Sequence, residues 1–449
     1  MHMRRLATGI AVAALVLTGC GGDDTTDSTT EDTTATEDMA TEDMATEDMA
    51  TEDGATEAMG GASGDVEVFT WWTEGGEKAG LDALVALFEE NNPDATFVNG
   101  AVAGGAGSNA RNVLASRLQT GQPPDTFQGH AGRELQDYIE ADQLEPVNDV
   151  YEAEGYTDVF PADIIDLLSQ DGNIYSVPAN IHRANVVWAN PTVLEDNGLS
   201  TEPPADMDTW IADMQTLQDG GMEAPLSVAT EWTQLHLFET VLLSGLGPEA
   251  YIGLWDGTTD WGSAEVTAAL ETYATLLSFT NSNRDSLDWP DALAMVTDGT
   301  SAYNVMGDWA AGSLDAQGLT PDVDWIHFPV PGTEGTFDFL SDSFTLPVGA
   351  PNPDGAKAWL VTVGSAEGQV AFNVAKGSIP VRTDVDTAEF GAYQQSAIAD
   401  FASDTIVPSL AHGAAAQAAW QGDISSAVGQ FSVEGDVEQL QTQLVEAAG

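Results

Sequence analysis

Between residues 21 and 64 the chain carries no Val, Ile, Leu or aromatic residue, and that gap decides where a fold can be built. A core needs apolar area to offset the entropy of ordering the backbone, and Thr, Glu, Asp, Ala, Gly and Met in these proportions cannot supply it. The unit ATEDM recurs at 35–39, 40–44 and 45–49, followed by ATEDG and ATEAM up to Met59. A five-residue period is too short for a solenoid repeat and matches no heptad. Residues 21–64 are therefore expected to be a disordered acidic tether. Everything that packs must come from 65–449.

The segment before the tether is of another kind. Arg4 and Arg5 precede the apolar run 6–17, which is shorter than the roughly 20 residues that span a bilayer and reads as the core of a signal peptide. Leu17-Thr18-Gly19-Cys20 follows and resembles the lipobox of bacterial lipoproteins. The expectation is a signal peptide over 1–20, lipidation of Cys20, and a protein outside the cytoplasm, lipid-anchored to the cell membrane. Two acyl chains on that Cys suffice for stable anchoring.

Charge divides along the same lines. The chain has 11 Lys+Arg against 73 Asp+Glu, a net −62. Two of the Arg belong to the signal and 14 of the acids to the tether, which leaves nine cations, 59 acids and a net −50 for 65–449. A surface so poor in cations excludes a nucleic-acid binder, since phosphate neutralisation needs Lys and Arg. It also disfavours a purely electrostatic grip on anionic lipid. The single Cys excludes a disulfide framework and any Cys-cluster metal site.

Residues 65–449 alternate strand and helix. An apolar strand at 66–70 leads through Trp71-Trp72 and a glycine turn into a helix with Leu81, Leu84, Val85, Leu87 and Phe88 on one face. That helix stops at Asn91-Asn92-Pro93, and a strand follows at 96–98. This is a βαβ unit of a parallel sheet. Further helices are predicted near 109–119, 161–169, 206–219, 232–244, 263–279, 354–361, 366–375, 390–402 and 437–448, with strands near 174–177 and 186–189 and a buried run at 302–306. The class is α/β, and the length calls for two lobes.

Few residues offer chemistry. Gly105-Ala106-Gly107-Ser108-Asn109-Ala110 fits a dinucleotide fingerprint on paper, with Asp125 20 residues past Gly105. An exported protein has no nicotinamide pool, and a glycine-rich turn equally serves close backbone approach or N–H donation to a polar ligand. The His residues at 130, 182, 236, 327 and 412 show no metal-ligand spacing. No G-x-S-x-G elbow is present. No cofactor is expected. Tryptophan is more informative. Of 12 Trp, Trp71, Trp72, Trp289 and Trp309 lie in glycine-rich or turn contexts, and an aromatic face stacks on the C–H face of a sugar ring. Only three Lys occur in the chain, and Lys376 sits in a KGSIP loop after a helix, where the alternative task is pairing with the helix dipole.

Taken together, VFTWWTEGGE, GGAGSNAR, PPDTFQGHAG, YSVPANIHRANVVWAN, NVMGDWAAG, LSDSF, KGSIPVR and LAHGA resemble the substrate-binding lipoproteins of bacterial ABC sugar importers, most closely the glucose-binding branch, over essentially all of 65–449. The resemblance implies a two-lobed periplasmic-binding-protein fold with a ligand cleft between lobes and hinge crossovers near 176–184 and 340–346. Lobe 1 would be roughly 65–178 plus 341–385, and lobe 2 roughly 184–340 plus 386–449. By position it implies sugar contacts from Trp71, Trp72, Glu77, Gln128, His130, Asp342, Lys376 and His412, with Trp289 and Trp309 as aromatic platforms of the second lobe. Arg111 stands where some relatives present a Lys, and Asn180 and His182 match positions near the hinge. The implied partners are a monosaccharide, glucose before galactose or mannose, and a membrane permease. The implied state is a monomer without catalysis. A secreted glycoside hydrolase or a glycan-binding surface lipoprotein would share the Trp-rich cleft.

Overall fold

The computed structural model describes residues 62–104 and 107–449. The expectations for the signal peptide, for Cys20, for most of the tether and for Gly105 and Ala106 fall outside these residues. The first strand opens at Ser63, inside the stretch assigned to the tether, because Ser63 to Asp65 already pair with Asp94 to Thr96.

The opening βαβ unit forms as its pattern requires. Ser63–Phe69 and Asp94–Asn99 are parallel neighbours, and the helix Gly75–Asn91 between them buries Gly80, Leu81, Leu84 and Phe88, spaced to share one helical face. The sheet runs in the order Asp94–Asn99, Ser63–Phe69, Thr126–His130, Asp342–Thr345, Ser176–Pro178. Its last two strands are antiparallel to their neighbours, so the sheet is mixed. A second sheet orders Ile326–Pro329, Val186–Ala189, Tyr303–Val305 and Leu226–Ser227. All of Val186–Ala189 is buried, which is why this strand reads as an unbroken apolar run. Two cores form, and the strand Val186–Ala189 contributes to both. Phe88, Phe127, Phe344 and Trp359 belong to one, and Trp210, Phe238, Tyr273 and Phe431 to the other.

Two short passages carry the chain from one sheet to another. Ser176–Pro178 lies in the first sheet, His182–Arg183 in a small third sheet and Val186–Ala189 in the second. Thr336–Leu340 belongs to the third sheet and Asp342–Thr345 to the first, with Ser341 alone between them.

Several helices differ from expectation. The helix predicted at 232–244 runs on as Glu231–Asp256, across a break where Gly247 takes φ 74° ahead of Pro248. Ala418–Glu434 carries no early apolar period; its buried face, Ile424, Ala427, Val428 and Phe431, begins only in its second turn. Trp289 and Trp309, expected in turns, each open a helix, Trp289–Thr297 and Trp309–Ala316. Asp288 and Asp291 form a capping box at the first of these, and Pro290 sits where a missing N–H costs nothing.

The helix Trp309–Ala316 follows a strand of the second sheet yet packs on Gly75–Asn91 and Ala366–Lys376 beside the first. Trp309 accordingly packs into the same core as Phe88 and Phe344, while its ring also meets Trp232 and His412. Glycine makes that approach possible. A Cβ on Gly312 would stand 2.3 Å from the carbonyl oxygen of Lys376 and 2.9 Å from the nitrogen of Gly377. Both are backbone atoms that cannot rotate away. Gly312→Ala is expected to lower stability by about 1 to 3 kcal/mol through overpacking, read as a lower thermal midpoint; an unchanged midpoint would show that the two helices can part freely.

Candidate ligand-binding site

The two sheets, the opening helix and the loop after Thr405–Pro408 converge on a chamber of about 210 Å³. Eight of the ten sequence-predicted residues line it: Trp71, Glu77, His130, Trp289, Trp309, Asp342, Lys376 and His412. Trp72 and Gln128 stand behind the lining. Trp72 is packed between Phe344 and Phe372, and Gln128 is buried in the strand Thr126–His130.

Asp342 is the best-held acid of the chamber. It opens the strand Asp342–Thr345, opposite His130, and is 2% exposed. Gln128 Nε2 donates to its Oδ1 and Asn180 Nδ2 to its Oδ2, both at 2.8 Å. His182 Nε2 lies 3.5 Å from Oδ2 and His130 Nε2 3.7 Å from Oδ1. Burial alone would raise its pKa, but the His182 hydrogen bond and the charges of Lys376, His130 and His182 outweigh burial and hold Asp342 far below the usual carboxylate range. Gln128 is itself fixed, since its Oε1 accepts from the Thr70 hydroxyl and from the Trp71 amide at 3.3 Å. Gln128 thus serves the chamber through Asp342 and the Trp71 backbone.

Lys376 ends the helix Ala366–Lys376, where the carbonyl end of the dipole favours a cation. Its ammonium lies 3.1 Å from Glu77 Oε1, 5.4 Å from the centre of the Trp72 ring and 5.9 Å from that of Trp309. Trp72 thereby supports the cation from behind. Glu77 stands in the first turn of the opening helix, so two helix ends hold the ion pair.

Three histidines are oriented by acids or hydroxyls behind them. Glu134 Oε2 is 2.8 Å from His130 Nδ1, and Arg111 reaches the same oxygen at 3.3 Å. His182 Nδ1 bonds Asp308, whose other oxygen accepts the Arg183 amide at 3.0 Å. His412 Nδ1 is 2.9 Å from Ser409 Oγ. Burial opposes the charge on His182, but Asp308 outweighs it and raises the pKa. Burial and the neighbouring His236, His130 and His182 push His412 well down, so its ring is neutral.

The glycine-rich segment has a packing task. Gly107 caps the helix Ser108–Gln119 at φ 87°, and a Cβ there would meet the Trp71 ring at 2.8 Å. Its bareness lets Trp71 lie flat against the backbone, tilted on His130 at 5.0 Å.

Sequence reasoning missed His182, Trp232, Asp288 and Ser313 as lining residues. His182 stood among the motifs without a role. Trp232 lies in the first turn of a helix, outside the glycine contexts that marked the other Trp, and only its ring contacts with Trp309 and His412 reveal it.

The chamber thus combines aromatic faces with buried hydrogen-bonding and charged groups. Residues 71–370 match the family model described as bacterial extracellular solute-binding protein. The chain belongs to that family. It is 33% identical over 386 residues to an uncharacterized ABC transporter extracellular-binding protein of Pyrococcus horikoshii, covering 85% of this chain and 87% of the relative. It is also 33% identical over 400 residues to a probable sugar-binding periplasmic protein of Brucella melitensis, covering 86% and 92%. Among solved structures, the bacterial solute receptor AcbH superposes with a TM-score of 0.74 at 18% identity, over 86% of this chain and 97% of that one. The fold of this solute-binding protein is thus the two-lobed one that its motifs implied.

Glu134 gives a pH test of the site. Burial would raise its pKa, but Arg111 and His130 lower it from 4.5 to about 2. A depressed carboxylate contributes stability that is complete above its unfolded pKa and is lost as pH falls through the folded value. Glu134→Gln should therefore cost about 3 kcal/mol at neutral pH. The gap to wild type should close between pH 4.5 and about 2, followed by thermal unfolding; a constant gap would show that the charge of Glu134 is not what matters.

Proposed function

We propose that this solute-binding protein captures a neutral sugar in the chamber and delivers it to the membrane permease of an ABC importer. A single monosaccharide, glucose first, is the ligand the chamber supports best. The observation that carries this is the pairing of aromatic faces with buried charged hydrogen-bonding groups in a space of about 210 Å³. Trp71, Trp289, Trp309 and Trp232 offer faces to the C–H sides of a pyranose ring. Asp342 and Glu77 accept from hydroxyls, and Lys376 donates. Charge assistance makes such bonds about twice as strong as neutral ones.

The relatives support a sugar as the class of ligand. The Brucella protein is named for sugar binding, and the AcbH structure is described as having an exclusive preference for β-D-galactopyranose. Cys20 would carry the lipid that keeps the protein beside its permease. Mechanically, a sugar that touches residues of both sheets favours the closed form through contacts that exist only there.

A second reading, a longer ligand, has one observation in its favour. A cavity of about 990 Å³ adjoins the chamber and shares Gly104, Trp232 and Asp288 with it.

Calorimetric titration of the lipid-free chain should give saturable heat with glucose at micromolar affinity, about −8 kcal/mol. Lys376→Ala should weaken it about 10- to 100-fold without unfolding the protein. Tighter binding of maltose or cellobiose than of any monosaccharide would favour the longer ligand. Silence with every sugar would overturn both readings.

A further inference from the structure

Behind the chamber wall, three groups form a chain that ends at His412, a lining residue of the chamber. Glu239, in the helix Glu231–Asp256, is fully buried. Its Oε2 accepts the amides of Leu410 at 2.5 Å and Ala411 at 2.8 Å. Its Oε1 lies 2.9 Å from Ser409 Oγ, and the same hydroxyl lies 2.9 Å from His412 Nδ1. At the far side of the imidazole, Nε2 is buried with no partner among the described residues, while the ring lines the chamber.

Ser409 has one proton to give and two neighbours able to take it. If Glu239 is protonated at Oε1, it donates to Ser409, Ser409 donates to His412 Nδ1, and the ring proton must sit on Nε2. If Glu239 is ionised, Ser409 donates to it, His412 donates from Nδ1, and Nε2 is bare. The ring is neutral in both arrangements, so the difference is one of tautomer, not of charge.

We propose that Glu239, acting through Ser409, is the positioning residue that sets the tautomer of His412, presenting an Nε2–H donor to the ligand when Glu239 is protonated and an Nε2 acceptor when it is ionised. The change is balanced. The Glu239 proton passes to Ser409, the Ser409 proton passes to Nδ1, and the proton on Nε2 leaves to solvent through the chamber. The net loss is one proton.

The surroundings bring this change within reach of ordinary pH. Asp338, on the strand Thr336–Leu340, is fully buried, and neither of its carboxyl oxygens has a partner among the described residues. Two acids share this interior. The nearby cation, Arg183, is spent on Asp400 at 2.6 Å, on Asp404 and on the Thr336 carbonyl. Tyr251 of the same helix as Glu239 faces both acids and is held neutral by burial. His236, one turn before Glu239, is also neutral, its pKa lowered to about 4 by burial, and donates to the Ala184 carbonyl at 2.7 Å. His130, His182 and Asp342 face His412 from the chamber side. Burial pushes Glu239 up to about 8, against the hydrogen bonds from Ala411, Ser409 and Leu410. The acid with three donors is the one of the pair that ionises first, and Asp338, with none, keeps its proton.

The ligand side of this proposal rests on the sugar reading, but the tautomer belongs to the protein alone and is measured without sugar. In the full chain labelled with ¹⁵N-histidine, with His412 assigned by its loss in His412→Asn, the protonated ring nitrogen should switch from Nε2 to Nδ1 as pH rises through about 8. In Glu239→Gln the amide donates to Ser409 at every pH, and the proton should stay on Nε2. Should that variant fail to fold, Ser409→Ala breaks the chain and should abolish the switch. A single His412 tautomer across the range in wild type, or a switch that survives in either variant, overturns the proposal. With glucose, the dissociation constant should change about tenfold over the same window in wild type and less than about twofold in Glu239→Gln. A constant that moves equally in both also overturns it. A switch in a protein silent toward every sugar would refute the sugar reading and leave the relay standing.

Discussion

A fully buried carboxylate has to be held by donors, and Asp342 is held by groups drawn from three strands' worth of chain. Gln128 comes from the first sheet, Asn180 and His182 from the passage between sheets, and Asp342 itself follows the one-residue step at Ser341. Ser341 closes the ring by donating to the Asn180 carbonyl at 2.6 Å, and the Asp342 amide donates to Asn180 Oδ1 at 2.8 Å. These two short passages between sheets are therefore tied to each other at a residue that faces the chamber. Removing one donor would leave a buried charge short of a partner, which costs more than a surface hydrogen bond is worth.

The acid surplus gives the same residues their setting. Arg111, Arg117, Arg183 and Arg382 and all three Lys of the described chain approach an acid within ion-pair distance. Most of these pairs are half-exposed and contribute little. Lys376 alone among the Lys is buried, and its partner Glu77 is 18% exposed. In a chain so short of cations the desolvation of this one must be offset locally. The dipole of its own helix, Glu77 and two Trp faces together do so.

How far the sequence foretold this follows from what each signal depends on. The βαβ opening was legible because Leu81, Leu84 and Phe88 keep a helical period between two apolar strands. Ala418–Glu434 was not, because alanine carries no amphipathic period and its apolar face starts only at Ile424. Trp289 and Trp309 were found by type and misplaced by context, since a Gly or Pro neighbour marks a helix start as readily as a turn. For the site, residues in motifs converged on the chamber, but motif membership does not distinguish a lining side chain from the one behind it. Trp72 and Gln128 occupy that second row. Glu239 left no trace at all: 59 acids offer no reason to single one out, and only the folding of residues 409–412 onto its carboxyl does so.

The placement of Trp309 bears on how binding is transmitted. Its helix is fed by a strand of the second sheet but rests on helices of the first, backbone against backbone through Gly76, Gly312 and Gly377. A contact without side chains has little room for intermediate positions, because shifting it by a fraction of an ångström either clashes or loses the contact. Trp309 stands at the start of that helix, edge-on to His182 at 5.2 Å and to His412 at 5.1 Å. A ligand that stacks on Trp309 while bonding Lys376 thus touches both sides of the glycine contact at once. The same arrangement places Lys376, the last residue of its helix, directly under Gly312: the cation that lines the chamber is the residue whose carbonyl a Cβ at Gly312 would strike.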